Sequence, residues 1–392
     1  MTFNPLDSSF HFDPYTPYQA LREQRAVWVE SLKAWFVGKY EDVASMSTNH
    51  KIFSQARFSE ISKGEFDYAP RARQLISSDP PVHTPLRKLV GQGFKPARIR
   101  GMEEDIARIS QQYISKVAAA KGTFDFQHDL AERVPIHVIA NLLGVPAEHG
   151  DTFKRWTGDI MSASNRATMN EEQLKQIATS VSEAQHYFLD VIAERRKKPG
   201  DDMISVLLAA QDGDERLTEE EVMALSILLL IGGDETTAHL LGNTMLALWE
   251  HPDQFDLVRA DRSRIPALIE ESLRYNAPVQ TVFWTTTEDV KLGDARIAAE
   301  DAVMGVWGSA NRDPERFRNP DQFDITRDRG GHLAFGFGPH FCIGAMLARV
   351  EARIVLDMVF DELPNLRRAD DGPVDWVPSY WLRGPHSLMV TA

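Results

Sequence analysis

Cys342 is the only cysteine in this 392-residue sequence, and its neighbours frame it unusually. Residues 331–344 read GHLAFGFGPHFCIG, with the thiol between Gly338 and Gly344 and beside Phe335, Phe337, Phe341 and Ile343. A thiolate in a glycine-rich apolar loop is a good soft ligand for iron, because sulfur binds strongly and the backbone can approach closely. The plainer reading is a small buried hydrophobe. A second stretch with chemical potential is GGDETT, residues 232–237. Carboxylates and hydroxyls inside an apolar helix are costly unless satisfied or used. Asp234, Glu235, Thr236 and Thr237 therefore fit either a catalytic role or a helix bend with hydroxyls bonded to the preceding turn.

Two pairs complete the set. His83 and Arg87, in DPPVHTPLRKLVGQGF, lie four apart on a helix expected to start near His83 with Pro85 in its first turn. That face suits a carboxylate or phosphate, though a solvated pair is the simpler case. Glu271 and Arg274 sit at i and i+3 in SRIPALIEESLRY, placed to pair and to engage a third group.

The elements that must position these residues are mostly helical. Thr218 with Glu221 forms a capping box that opens a helix running to Glu250, about 50 Å at the usual rise. Its nearly continuous apolar half requires burial on most sides. Two adjacent glycines in its middle cost about 1 kcal/mol each, which points to a close approach there. Helices are also expected over 13–26, 39–48, 124–142, 170–197, 263–275 and 345–361. The basic run Arg195 to Lys198, before Pro199-Gly200, reads as a solvated helix end. Residues 27–37 suggest a β-hairpin, and 279–287 a strand rich in β-branched and aromatic residues. Residues 55–78, with Phe58, Gly64, Phe66, Tyr68 and Pro70, lose periodicity and read as a loop of lid or binding type. Residues 310–327 read as an ordered meander leading into the cysteine loop. The fold class is mainly α with minor β. The helix-rich core spans about 79–275 and 310–361, and the β-rich part about 10–50, 279–308 and 376–392, within one domain of 1–392.

Composition narrows the partners. A formal net charge of −14 argues against nucleic acid and against an anionic membrane surface. One cysteine cannot form an internal disulfide, which fits a reducing, cytoplasmic compartment. The amino terminus, MTFNPLDSSFHFDPY, shows neither an apolar run nor a positive leader, and Val222 to Ile231 is about half a bilayer crossing.

Taken together and in order, these stretches resemble the cytochrome P450 family. FGFGPHFCIG (335–344) matches its cysteine loop, GGDETT its central-helix motif and EESLR its Glu-x-x-Arg pair. DPPVHTPLR resembles its haem-propionate segment, NRDPERFRNPDQFD the meander before the cysteine, and DPY (13–15) is typical of bacterial members. The resemblance implies a haem-thiolate fold with haem b (iron protoporphyrin IX) and Cys342 as axial ligand and sole metal ligand from the chain. It implies Phe335 packed on the haem, and His83, Arg87 and His340 on its propionates. Gly232 and Gly233 would admit oxygen and substrate, with Gly233 beside the cofactor. Glu235 and Thr236 would form the acid–alcohol pair that delivers protons to bound oxygen, with Asp234 facing elsewhere. Glu271 and Arg274 would be structural.

The implied activity is insertion of one atom of O2 into an apolar organic substrate, by hydroxylation or epoxidation. Electrons would come from NAD(P)H through a ferredoxin or flavodoxin-type donor. A peroxide-driven peroxygenase and a non-catalytic haem sensor are the alternatives, and the intact Glu235–Thr236 pair argues against both. The pocket is expected from the 56–78 loop, the 155–185 helices, Ile227, Gly232, Val279, Val282, Phe283 and the tail near Tyr380. Its apolar lining suits a small hydrophobic or aromatic molecule. One departure stands out: Trp284 occupies the position where many members carry a propionate-binding arginine, and an indole cannot supply a charged fork.

Overall fold

The computed structural model describes residues 3–7, 9–62, 67–120, 122–163, 169–328 and 330–392, with the side chains of 61 and 62 excepted. Gly64 and Phe66 lie outside the described residues. The chain packs into two compact units, 1–58 with 110–132 and 236–392, and 59–109 with 133–235. The division falls inside the helices Gln55–Ser62, Glu103–Ala120 and Glu219–Glu250.

In the first unit, the expected hairpin is Ala26–Val29 antiparallel to Ala34–Val37. Strand Ala302–Val306 continues this sheet, parallel to Ala34–Val37 and antiparallel to Thr281–Thr286, and Phe53–Ser54 closes the far edge. The alternation of TVFWTT sends neighbours to opposite faces. Trp284, 3% exposed, joins a core with Val43, Met46 and Val303, while Phe283 packs toward Tyr18 and Phe36. A Cβ on Gly305 would come within 2.6 Å of the Trp284 ring. Trp284 is thus a core residue packed over a glycine.

The Ile265–Tyr275 helix organises the meander. Arg274 donates to Glu271 from Nε and Nη2 at 2.8 and 2.7 Å, and to the carbonyls of Asn311, Pro320 and Gln322 at 2.7–3.0 Å. Both side chains are buried, at 3% and 4% exposure. The amide of Asp324 donates to Glu271 at 2.9 Å, and Arg327 reaches the same carboxylate at 3.4 Å. Irregular backbone is thereby held without a sheet ladder, each buried carbonyl finding a donor. The meander hands this order onward, since the Asn311 side chain accepts from the amide of Leu333 at 2.6 Å, just ahead of the cysteine loop.

The second unit is helical. Gly150–Ser162 and Glu171–Lys197 pair through Phe153, Trp156, Tyr187 and Phe188, with successive ring centroids 5.4–5.5 Å apart. Asn170 and Gln173 form a capping box at the start of the longer helix, both bonds being 2.9 Å. At its other end the basic run is more than a solvated tip. Arg195 turns back to Asp202 and to the Gly144 carbonyl, both at 2.6 Å. The predicted box of Thr218 and Glu221 opens the central helix with bonds of 2.9 and 3.2 Å, and Arg73 also binds Glu221. By length and composition that helix could cross a bilayer, but 67% of its most apolar window is buried, as in a core helix.

Two further expectations are corrected. Residues 55–78 are not one loop, because Gln55–Ser62 is helical and Leu75–Ser77 forms a 3-10 turn. Within the stretch read as helix, Thr123–Asp125 is a strand that pairs with Met389–Thr391. Its partner lies more than 260 residues away in the chain, so no local pattern announces it.

Candidate functional site

The cysteine loop owes its path to two glycines. Gly336 and Gly338 have φ of +74° and +73°, where side chains are strained, and a Cβ on Gly338 would lie 2.6 Å from the Ser47 carbonyl. Gly338–His340 form a 3-10 turn, and the Cys342 amide then donates to the Phe335 carbonyl at 2.7 Å, closing the loop on itself. Cys342 is carried outward and exposed, overturning the plain reading of a buried hydrophobe. Phe341 beside it is 41% exposed, and its ring lies 6.4 Å from that of Phe335. Gly344 starts the Ala345–Glu362 helix, and a Cβ there would meet only the Cys342 sulfur, at 3.9 Å.

A charged cluster unread in the sequence braces this loop. Glu270 accepts from Arg349 at 2.6 and 3.0 Å and contacts His332 at 3.1 Å, and the Arg349 guanidinium lies 4.4 Å over the Phe335 ring. Burial alone would raise the Glu270 pKa, but the bonds and charges of His332 and Arg349 more than offset it, taking it from 4.5 to about 2. A depressed carboxylate stabilises fully above its unfolded pKa and loses that contribution as pH falls toward the folded value. Wild-type stability is therefore expected to drop between about pH 4.5 and 2 by up to about 3 kcal/mol from this group, and Glu270→Gln should flatten that part of the profile. Urea midpoints across the range measure both.

The central helix presents one open face. From Glu221 to Thr244 it is buried except at Leu228, Ile231, Gly232, Gly233, Glu235 and Thr236, and the spacing of 228, 232 and 236 puts them in one row. Gly232 is exposed, and beyond its chain neighbours and its own helix backbone no atom lies within 4 Å of where a Cβ would stand. Gly233 differs: its Cβ would meet Ile139 Cδ1 at 2.6 Å, so its smallness serves helix packing. Gly232→Ala is expected to be more stable than Gly233→Ala by about 1–3 kcal/mol in urea unfolding, since only the second methyl is overpacked. Asp234 is fully buried, accepting from Thr157 at 3.1 Å with Lys154 at 3.5 Å. It faces away from Glu235 and Thr236, which are half-buried.

His83 begins the His83–Gly91 helix and is 2% exposed, with Arg87 half-buried one turn on. His340 is half-buried within the cysteine loop. The pocket residues divide. Ile227 has no exposed surface and belongs to the core, a correction to its expected role; Leu228 beside it opens onto the row. Val279, Val282 and Phe283 are half-buried. Val282 packs with Trp284, whereas Phe283 stacks on Phe58 at 5.3 Å, so the strand's alternation keeps the two on opposite faces.

These donors fit a metal that brings its equatorial ligands with it. Among the described residues no three His, Cys, Asp or Glu gather as a protein-built metal site requires. What the chain offers is one exposed thiol in an apolar loop, as an iron porphyrin needs.

The sequence matches the family model described as Cytochrome P450 over residues 25–363. It is 37% identical to Cytochrome P450 107B1 of Saccharopolyspora erythraea, the alignment covering 98% of this chain and 96% of that one. Among solved structures it resembles cytochrome P450 CYP109Q5 from Chondromyces apiculatus, with a TM-score of 0.89, 37% identity and coverage of 99% and 97%. CYP109E1 from Bacillus megaterium, solved in complex with testosterone, gives a TM-score of 0.86, 35% identity and coverage of 97% and 99%. The chain belongs to the cytochrome P450 family. It is a haem-thiolate monooxygenase, inserting one oxygen atom from O2 into an organic substrate with electrons from separate redox partners.

Proposed function

We propose that Cys342 is the axial thiolate of a haem b and that residues 1–392 form one haem domain. The observation that carries this is the exposed sulfur of the sole cysteine, presented by a loop that two positive-φ glycines and the Phe335 carbonyl hold in place. The family match supports the single domain, since residues 25–363 draw on both units. When bound, the haem supplies the oxygen-activating iron. His83, Arg87 and His340 would hold its propionates, a near-buried imidazole and a guanidinium one helical turn apart suiting two carboxylates.

Gly232 leaves room on the open row of the central helix for oxygen and substrate. On the same open face, the Glu235 carboxyl takes protons from solvent and the Thr236 hydroxyl donates one inward while accepting another. The buried helix around them limits water to this face, so protons arrive by side chain and not in bulk. Asp234 serves helix packing through Thr157 and Lys154 and takes no part.

The substrate is read as a small hydrophobic or aromatic molecule. The half-buried Val279, the stacked Phe58 and Phe283, and the testosterone complex of the Bacillus megaterium relative support that class. NAD(P)H through a ferredoxin or flavodoxin-type donor fits the bacterial relatives, and a sole cysteine suits the cytoplasm. Thr236→Ala tests the relay: product formation should fall at least about tenfold while reductant consumption persists and peroxide rises. Unchanged coupling would remove Thr236 from proton delivery.

A further inference from the structure

A cavity of about 460 Å³ lies within the first unit where the Tyr15–Gln24 helix, the end of the central helix and the tail come together. Its walls include three arginines that the monooxygenase reaction does not use. Arg22, Arg312 and Arg383 are only 8%, 6% and 8% exposed. Burying a guanidinium is expensive unless a negative charge accompanies it, and neutral acceptors satisfy its donors without cancelling its charge.

Carboxylate partners are scarce here. Arg383 donates to the Asn276 side chain at 2.9 Å and to the carbonyls of His11 and Phe12 at 2.8 and 3.4 Å, all neutral. Arg22, which lines the cavity, binds only Ser309 among the described residues, from Nη1 to its carbonyl and hydroxyl at 3.2 Å each. Arg312 lies 3.4 and 3.8 Å over the rings of Tyr15 and Tyr275 and donates to the Tyr275 carbonyl. Among the described residues, the one ion pair these arginines make, Arg312 with Asp321 at 3.4 Å, is to a carboxylate 69% exposed. Asp13 and Glu250, the other acids of the wall, are likewise exposed at its rim, where water screens them. Burial pushes the pKa of Arg22 and Arg383 down; the charge of Arg312 adds to this, and nearby acids and tyrosines offset it in part. Asp313, 3% exposed, is the buried acid that offsets Arg22 most, and one buried carboxylate against three buried arginines leaves positive charge in excess.

We propose that this cavity binds a small organic oxyanion, a carboxylate or a phosphate ester, with its acid group on Arg22 and Arg383. The body of the ligand lies against Trp376, over which Arg383 stacks at 3.8 Å, and against Leu246. The volume falls within the usual range for small-molecule sites. Such a ligand supplies the missing charge through paired N–H donors, the geometry in which guanidinium is strongest.

The test titrates the haem-loaded protein at fixed ionic strength with benzoate, phenyl phosphate and neutral benzamide, following the unfolding midpoint and the haem spectrum. A saturable rise with either acid and none with benzamide is expected, and whichever acid acts identifies the chemical source. Arg22→Gln should weaken that response at least about tenfold. An equal response to benzamide, no response to either acid, or a haem spectral change tracking the titration would overturn the proposal. Should Arg22→Gln not fold, wild-type crystals soaked in the brominated form of the acting acid, 4-bromobenzoate or 4-bromophenyl phosphate, decide the matter: anomalous density beside Arg22 and Arg383 supports the site, and its absence there refutes it.

Discussion

Cys342→Ser is expected to abolish the thiolate signature of the reduced, carbon monoxide-bound protein and to reduce substrate oxidation by more than about a hundredfold. Loss of groups that merely orient metal ligands costs roughly 10–100-fold, and loss of the ligand itself must exceed that. The serine hydroxyl is nearly isosteric, and the loop's fold does not depend on sulfur. It is closed by the Cys342 backbone amide on Phe335 and by Gly338 against Ser47, both of which the variant keeps. Haem absorbance after reduction under carbon monoxide, read beside circular dichroism, separates ligand loss from misfolding. A folded variant that kept the red-shifted band would remove Cys342 as the axial ligand.

Arg274→Ala should be the most destabilising single change outside the cysteine loop, by about 3–5 kcal/mol, the range for stranding one partner of a buried pair. The variant leaves Glu271 charged and 4% exposed, and withdraws donors from the carbonyls of Asn311, Pro320 and Gln322. Arg327, at 3.4 Å from Glu271, softens the loss without replacing the bidentate contact. By contrast Lys33→Ala, which breaks an exposed pair with Glu30, should change stability by less than about 1 kcal/mol. Urea midpoints of the two variants give the comparison, and equal effects would show that the meander does not depend on Arg274. A meander loosened at Asn311 should also release the cysteine loop through Leu333, so haem content should fall with stability.

Interactions between residues a few positions apart were legible in the sequence because helix geometry sets them. The Thr218–Glu221 box, the 171–197 helix and the Glu271–Arg274 pair all formed as spacing requires. The ordered motifs likewise identified the family from residues 79 to 344. What spacing could not supply was the partner brought from far along the chain. Arg327 reaching Glu271, and His332 with Arg349 closing on Glu270, join residues more than 50 positions apart, and no periodicity links them.

The two glycines show the same limit at a single turn. By sequence alone Gly232 and Gly233 are equivalent gaps in an apolar helix. They point about 100° apart, and only the packing of Ile139 against one of them leaves the other open. Ile227 and Leu228 divide in the same way, one wholly buried and one on the open row. Residue type and local spacing determined that this chain carries a glycine-framed cysteine loop, a long apolar helix with two glycines in its middle and an acid–arginine pair. Which atoms face the open side was decided by tertiary packing, because a side chain's surroundings depend on neighbours that the linear order does not place beside it.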